Sequence, residues 1–367
     1  MGNASFGVEM AFIDDRSAFL DRTRRGWTSG LCSLVGAGEL ERAIRPYPRP
    51  LGRGRLALLA GGKFGDARLL ALDGRGRILG YGFGEGLLRR ISVCPGSRVA
   101  AELVDRGRRR TFVAVRSLES LQVLSSADVP GYTDDLTCAD PAGATVYAGG
   151  VNYAGRHGRG EVRRVSGSAS TLVISRRAEQ LALGPDAAYV WSGRRAVAVR
   201  LNDGAEGTLL RMPYPEHIVP SPFGGHLALH GTDGRLRVVD LATGAVASRK
   251  LPSAYAYTWL APDRLLARIG ASAVTFDAGL RKQRRYARFS GIPAAAAEGA
   301  VFGADRYRLT RLDLETGRER TAARLPDRGL ADLVAVPAGP EIDVPVRAPR
   351  VLIAPAQSAS TQPICVR

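Results

Sequence analysis

Three carboxylates are the first residues whose spacing suggests chemistry. Asp135, Glu179 and Glu216 each stand six residues before a proline that ends a short apolar run, at Pro141, Pro185 and Pro222. Equal offsets from equivalent turns place them at one level of a repeated structure. Like charges gathered at one level raise one another's pKa unless a cation or basic group sits among them. The trio is therefore a candidate site for a metal ion, an amine or the basic side chain of a partner. Neutralised by arginines such as Arg176 and Arg177, it would be ordinary surface charge. Aromatic and imidazole groups fall nearby: Tyr153 and His157 in the stretch NYAGRHGRG, then Tyr214, His217, Tyr255 and Tyr257 near strand starts. Long insertions carry function more often than short turns, which singles out the 152–160 stretch.

Other motifs point to no catalytic chemistry. There is no G-x-S-x-G elbow, Walker loop or H-E-x-x-H. GYGFGEG at 80–86 follows a strand but opens no helix, so it reads as a blade-edge turn and not a phosphate loop. His226 and His230 share one face of a strand but lie about 13 Å apart along it, too far for one metal. The cysteines Cys32, Cys94, Cys138 and Cys365 form no C-x-x-C and have no histidine at zinc spacing. Two readings of them stay open. Cys94 and Cys138, each ending an inner strand, are buried thiols with Cys32 and Cys365 free in the flanks; or the four form two disulfides, which would imply an oxidising compartment. No metal and no cofactor is expected from these patterns.

The elements that must position these residues come from a repeat. An apolar strand followed by an Asp–Gly turn recurs at RLNDG (Asp203), VVDLATG (Asp240), VTFDAG (Asp277) and RLDLETG (Asp313), at spacings of 37, 37 and 36 residues. Asp73 is an earlier copy, with weaker ones near Ser117 and Ser166. Such residues accept backbone hydrogen bonds and tolerate positive φ, so they close tight hairpins. A second series interleaves with the first: Pro95, Pro141, Pro185, Pro222, Pro262 and Pro337, with Glu298–Gly299 filling the gap. Proline lacks a donor and suits a turn between strands. Two alternating turns, each near a forty-residue period, describe a four-stranded antiparallel unit, the blade of a propeller.

The fold expected is therefore all-β: a seven-bladed β-propeller of four-stranded antiparallel blades, over 55–88, 89–131, 132–178, 179–216, 217–252, 253–290 and 291–330. The first blade lacks an inner strand, and the leftover strand Leu330 to Pro337 supplies it, closing the ring and removing two sheet edges. Six or eight blades would follow if the first residues added strands. An extension over 1–54, partly irregular or helical, precedes the propeller of 55–337, and a second extension of 338–367 follows. By repeat length and the D-x-x-T-G hairpin the chain resembles the broad class of bacterial WD-repeat-like, YVTN-type and quinoprotein-like propellers. A Gly-His pair and a Trp-Asp ending recurring in each repeat, as in true WD repeats, are absent, and so is one tryptophan per blade, since only Trp27, Trp191 and Trp259 occur.

The formal charge is +17, but only three of the 52 basic residues are lysine. The arginines spread along the whole chain, and the runs RGRRR from Arg106 and RKQRR from Arg281 fall at turns or strand edges, where charge blocks edge pairing. That disfavours nucleic acid as partner. No apolar run is long enough for a membrane span. The first residues lack a secretory pattern, so the chain as written reads as cytoplasmic; a misassigned start with paired cysteines would place it outside. The function expected is a non-catalytic binding or protein-interaction propeller, with a protein or small molecule at the loop face. The alternative is an enzyme of lactonase, lyase or hydrolase type with its site at the channel mouth.

Overall fold

A computed structural model describes residues 47–349 except 97, 106–110, 132, 139–144, 153–157, 194, 212–214, 252–253, 306–307 and 326–329. It is an all-β propeller of seven four-stranded antiparallel blades in a ring, with no helix among the described residues. None is therefore available there to cross a membrane. The inner strands are β29 (Leu330–Ala335), β5 (Leu87–Val93), β9 (Asp135–Cys138), β13 (Gln180–Leu183), β17 (Pro215–Pro220), β21 (Ala254–Ala261) and β25 (Ile292–Ala297), for blades one to seven.

Local chemistry sets the hairpins. The Asp240 carboxylate accepts from the amides of Ala242 and Thr243, both at 2.9 Å, and Asp313 accepts from Thr316 N at 2.8 Å. Gly244 and Gly317 follow at φ 72° and 73°, where a side chain would be strained. These hydrogen bonds favour the ionised form, holding Asp240 low and Asp313 down to about 2.

The ring closes as the repeat predicts. β29 pairs antiparallel with β2 (Leu58–Phe64), Ala335 opposite Leu58 and Asp332 opposite Gly61. Leu333 is buried in one cluster with Leu58, Phe64 and Leu70 of blade one and Phe302 and Leu309 of blade seven. Residues 53–55 and 341–343 form a two-stranded ribbon beside blade one, and Ile342 and Val344 join its core. Most of the two flanking extensions lies outside the described residues.

Of the arginine runs, RKQRR falls on β24 (Lys282–Tyr286), the outermost strand of blade six, with Lys282 to Arg285 exposed. The run from Arg106 lies outside the described residues. Other arginines are interior. Between blades one and two, Glu102 is fully buried and binds both Arg68 and Arg116, which are 3% and 1% exposed. Arg68 Nε and Nη2 donate to Glu102 Oε2 at 2.9 and 2.7 Å, and Arg116 Nε donates to Oε1 at 2.6 Å. Remaining guanidinium protons reach the carbonyls of Glu85, Leu121 and Phe83. A buried carboxylate between two arginines holds two blades in one register.

Candidate functional site

Inner strands have one edge unpaired toward the central channel, and side chains from the preceding blade satisfy part of it. Asp332 of blade one accepts from Ile91 N of blade two at 2.8 Å; Ser92 of blade two accepts from Cys138 N of blade three at 3.0 Å; Asp135 of blade three accepts from Leu183 N of blade four at 2.7 Å. Cys94 and Cys138, ending neighbouring inner strands, form a disulfide with Cα atoms 4.9 Å apart. Cys32 and Cys365 lie outside the described residues.

Asp135 thus belongs to a channel group. Arg90 Nη1 lies 3.8 Å from Asp332, and its Nε donates to the Asp134 carbonyl at 3.4 Å. Burial raises the pKa of Asp135 and of Asp332, while the Arg90 charge and the backbone donors pull both back. Asp135 adds its own charge to the rise at Asp332. Asp134 is raised too, by burial and then by Asp135.

Glu179 and Glu216 have other neighbours. Glu179 accepts from Gly193 N at 3.1 Å on the exposed rim of blade four. Glu216 points to His230 of blade five, Oε2 lying 3.4 Å from Nδ1. The contacts described for the three carboxylates are to different residues. Asp135 meets Asp332 and Asp134 instead, and a fixed offset from the turn proline did not reveal that grouping.

Glu216 lies in the clearest constellation of the loop face. In β17, Pro215 opposes Gly231 and His217 opposes His230 of β18 (His226–Gly231), so Glu216 is the extra residue of a β-bulge. A bulge breaks the alternation of side chains between faces and re-aims one of them. Here Glu216 and its neighbour His217 both reach His230. The His217 and His230 rings are near-parallel, their centroids 6.3 Å apart, and Tyr257 of blade six stands 6.4 Å from the first and 5.7 Å from the second. The inner strand of blade six is also bulged, between Ala254 and Ala256, just before Tyr257. Inner strands of blades one, two and seven carry the same irregularity.

Burial in this group is uneven. Glu216 and His217 are exposed, whereas His230 is 3% and Tyr257 8% exposed. Among the described residues neither His230 Nε2 nor the Tyr257 hydroxyl, both buried, has a hydrogen-bond partner, and His230 Nδ1 has only the 3.4 Å approach of Glu216. Burial, and then the Glu216 charge, push the Tyr257 phenol well above its ordinary value, so it stays a donor. An imidazole, a phenol and a carboxylate can together bind a group that both gives and takes hydrogen bonds. Among the described residues no three His, Cys, Asp or Glu side chains are grouped to hold a metal ion. His226 is at the far end of its strand, against Trp259 with centroids 5.8 Å apart.

Of the residues the sequence singles out, Glu216, His217 and Tyr257 come together here. Tyr255 precedes Tyr257 on the same strand; Tyr153, His157 and Tyr214 lie outside the described residues. His230 was set aside in the sequence because its partner was sought four residues away on its own strand. Its neighbours are instead across the ladder and in the next blade.

No protein-family model matches the chain, and no curated protein matches it. Solved structures do. AztD from Citrobacter koseri aligns with a TM-score of 0.52 at 10% identity, covering 77% of this chain and 98% of that one. Its apo form gives a TM-score of 0.51 at the same identity and coverage. The β-propeller domain of Cps50 (Swd1) from Myceliophteria thermophila gives 0.49 at 14% identity, over 66% of this chain and 88% of its own. The AztD likeness shows the fold. At this identity it says nothing of what the chain binds.

Proposed function

We propose that this propeller is a non-catalytic binding module, and that its loop face engages a ligand or partner group at the junction of blades five and six. One observation carries the reading: among the described residues His230 Nε2 and the Tyr257 hydroxyl are buried without a hydrogen-bond partner, and His230 Nδ1 has the carboxylate of exposed Glu216 3.4 Å away. An unsatisfied buried polar group costs about 1–3 kcal/mol, so a site holding such groups is kept for something other than stability. Movement of exposed His217 would uncover both His230 and Tyr257 for a small molecule or a protein side chain. The Cys94–Cys138 disulfide favours an oxidising compartment over the cytoplasm for this module.

Isosteric replacement tests the reading without knowledge of the ligand. Tyr257→Phe and His230→Phe remove the polar atoms and keep the aromatic packing. Each should raise the unfolding free energy by about 1 kcal/mol or more. In a thermal-shift screen of small polar compounds, any compound that stabilises the wild type through this site should fail to stabilise both variants. If Tyr257→Phe and His230→Phe both destabilise, the polar atoms have partners in the fold and the site reading fails.

A further inference from the structure

Away from that junction, the loop face has a cavity of about 490 Å³ between the outer strand of blade three and the sheet of blade four. Among the described residues its charged lining is Arg176, Arg177, Arg195 and Glu206. Val190 and Val197 give an apolar floor, and Ser192 adds a hydroxyl. The volume lies within the range usual for small-molecule sites, and an apolar floor with a few convergent polar groups is their usual make-up.

The charges are the informative feature. Arg176 and Arg177 end β12 (Ala169–Arg177), and Arg195 opens β15 (Arg195–Arg200) in the next blade. The ladder sets Arg177 opposite Arg159. Like charges directly opposed weaken a sheet. Neither Arg177 nor Arg195 has an ion-pair partner among the described residues. Arg176 Nη1 pairs with Glu206 Oε1 at 2.6 Å. Three arginines thus line one cavity against one carboxylate among the described residues. The guanidinium fork matches carboxylate and phosphate oxygens in geometry and binds them with charge-assisted hydrogen bonds.

We propose that this cavity binds a small organic anion carrying two oxyanion groups, carboxylate or phosphate, with Arg177 and Arg195 as its main donors and Arg176 released from Glu206 to join them. The site is separate from the blade five–six junction and does not depend on it.

The probes are inorganic pyrophosphate and citrate, measured by calorimetry on the full chain at fixed ionic strength. At least one should bind, and the tighter of the two identifies the oxyanion chemistry. The double variant Arg177→Gln/Arg195→Gln should lose about tenfold in affinity or more, because charge-assisted hydrogen bonds are the strong ones. Its melting temperature without ligand should be unchanged or higher, since opposed like charges are removed. Glu206→Gln should tighten binding severalfold by freeing Arg176. Arg281→Gln, 85% exposed on a hairpin of the opposite face, should leave affinity within about twofold. Binding of neither probe at about 10 mM overturns the proposal. So does an affinity that the double variant keeps, that Arg281→Gln lowers as much, or that appears for a single-stranded oligonucleotide and for neither probe.

Discussion

Replacing Glu102 by glutamine should be among the most damaging single changes in the molecule. The carboxylate is fully buried and takes four guanidinium hydrogen bonds, two from Arg68 and two from Arg116, at 2.6 to 3.1 Å. Glutamine keeps the shape but has one acceptor oxygen, and its amide turns donors toward donors. Two buried cations would then face each other across blades one and two with no anion between them. Removing one partner of a buried pair costs about 3–5 kcal/mol, a large part of the 5–15 kcal/mol by which whole domains are stable. With a urea slope near 3 kcal/mol/M, the unfolding midpoint should fall by about 1 M or more. Arg116→Gln combined with Glu102→Gln should cost less than the two changes summed, because the arginine change removes a cation that the glutamate change strands. Replacing Arg68, Glu102 and Arg116 together by apolar residues of similar volume should restore wild-type stability or exceed it. A midpoint shift below about 0.3 M for Glu102→Gln would refute the argument, since no buried charge could then have been left uncompensated.

Other perturbations probe the remaining contacts. Cys94→Ser/Cys138→Ser should cost about 4 kcal/mol by loop entropy for a separation of 44 residues, read as a lowered urea midpoint that reductant reproduces in the wild type and not in the variant. A chain ending before Leu330 loses the inner strand of blade one, exposes the edge of β2 and should aggregate on expression; a monomer with a cooperative melt would count against ring closure. Arg90→Met should lower stability by about 1 kcal/mol at neutral pH, as befits a half-exposed cation, and by nearly nothing in acid. Because burial raises the folded-state pKa of Asp135 and Asp332, their ionisation costs stability as pH rises from the ordinary carboxylate range through the raised values. Arg90 limits that cost, so urea midpoints from roughly pH 3 to pH 8 should diverge as pH increases; a gap constant across that range would exclude the coupling.

What the sequence makes legible here is what the chain settles within a few residues. Asp240 and Asp313 accept amides two and three positions on, so each hairpin is written in one short string and repeats with the blade. Strand alternation and the orphan strand at Leu330 are equally local, and from them the ring could be closed. Contacts between blades leave no such mark. Glu102 finds its arginines 34 residues before it and 14 after it, on strands whose register is set by other residues. Asp332 stands five residues before its turn proline and Asp135 six, yet each accepts an amide from the next blade's inner strand. β29 carries a bulge at Ala331, opposite Gly61 and Gly62, which turns the strand just before Asp332. The same device carries Glu216 to His230 and precedes Tyr257, so both flanks of the candidate site depend on one extra residue in an inner strand. A bulge depends on how two strands twist against each other, which apolar periodicity does not encode. In this propeller the local code builds the blades, and the residues of the candidate site lie at the seams between them, where bulges and neighbouring blades decide which side chains meet.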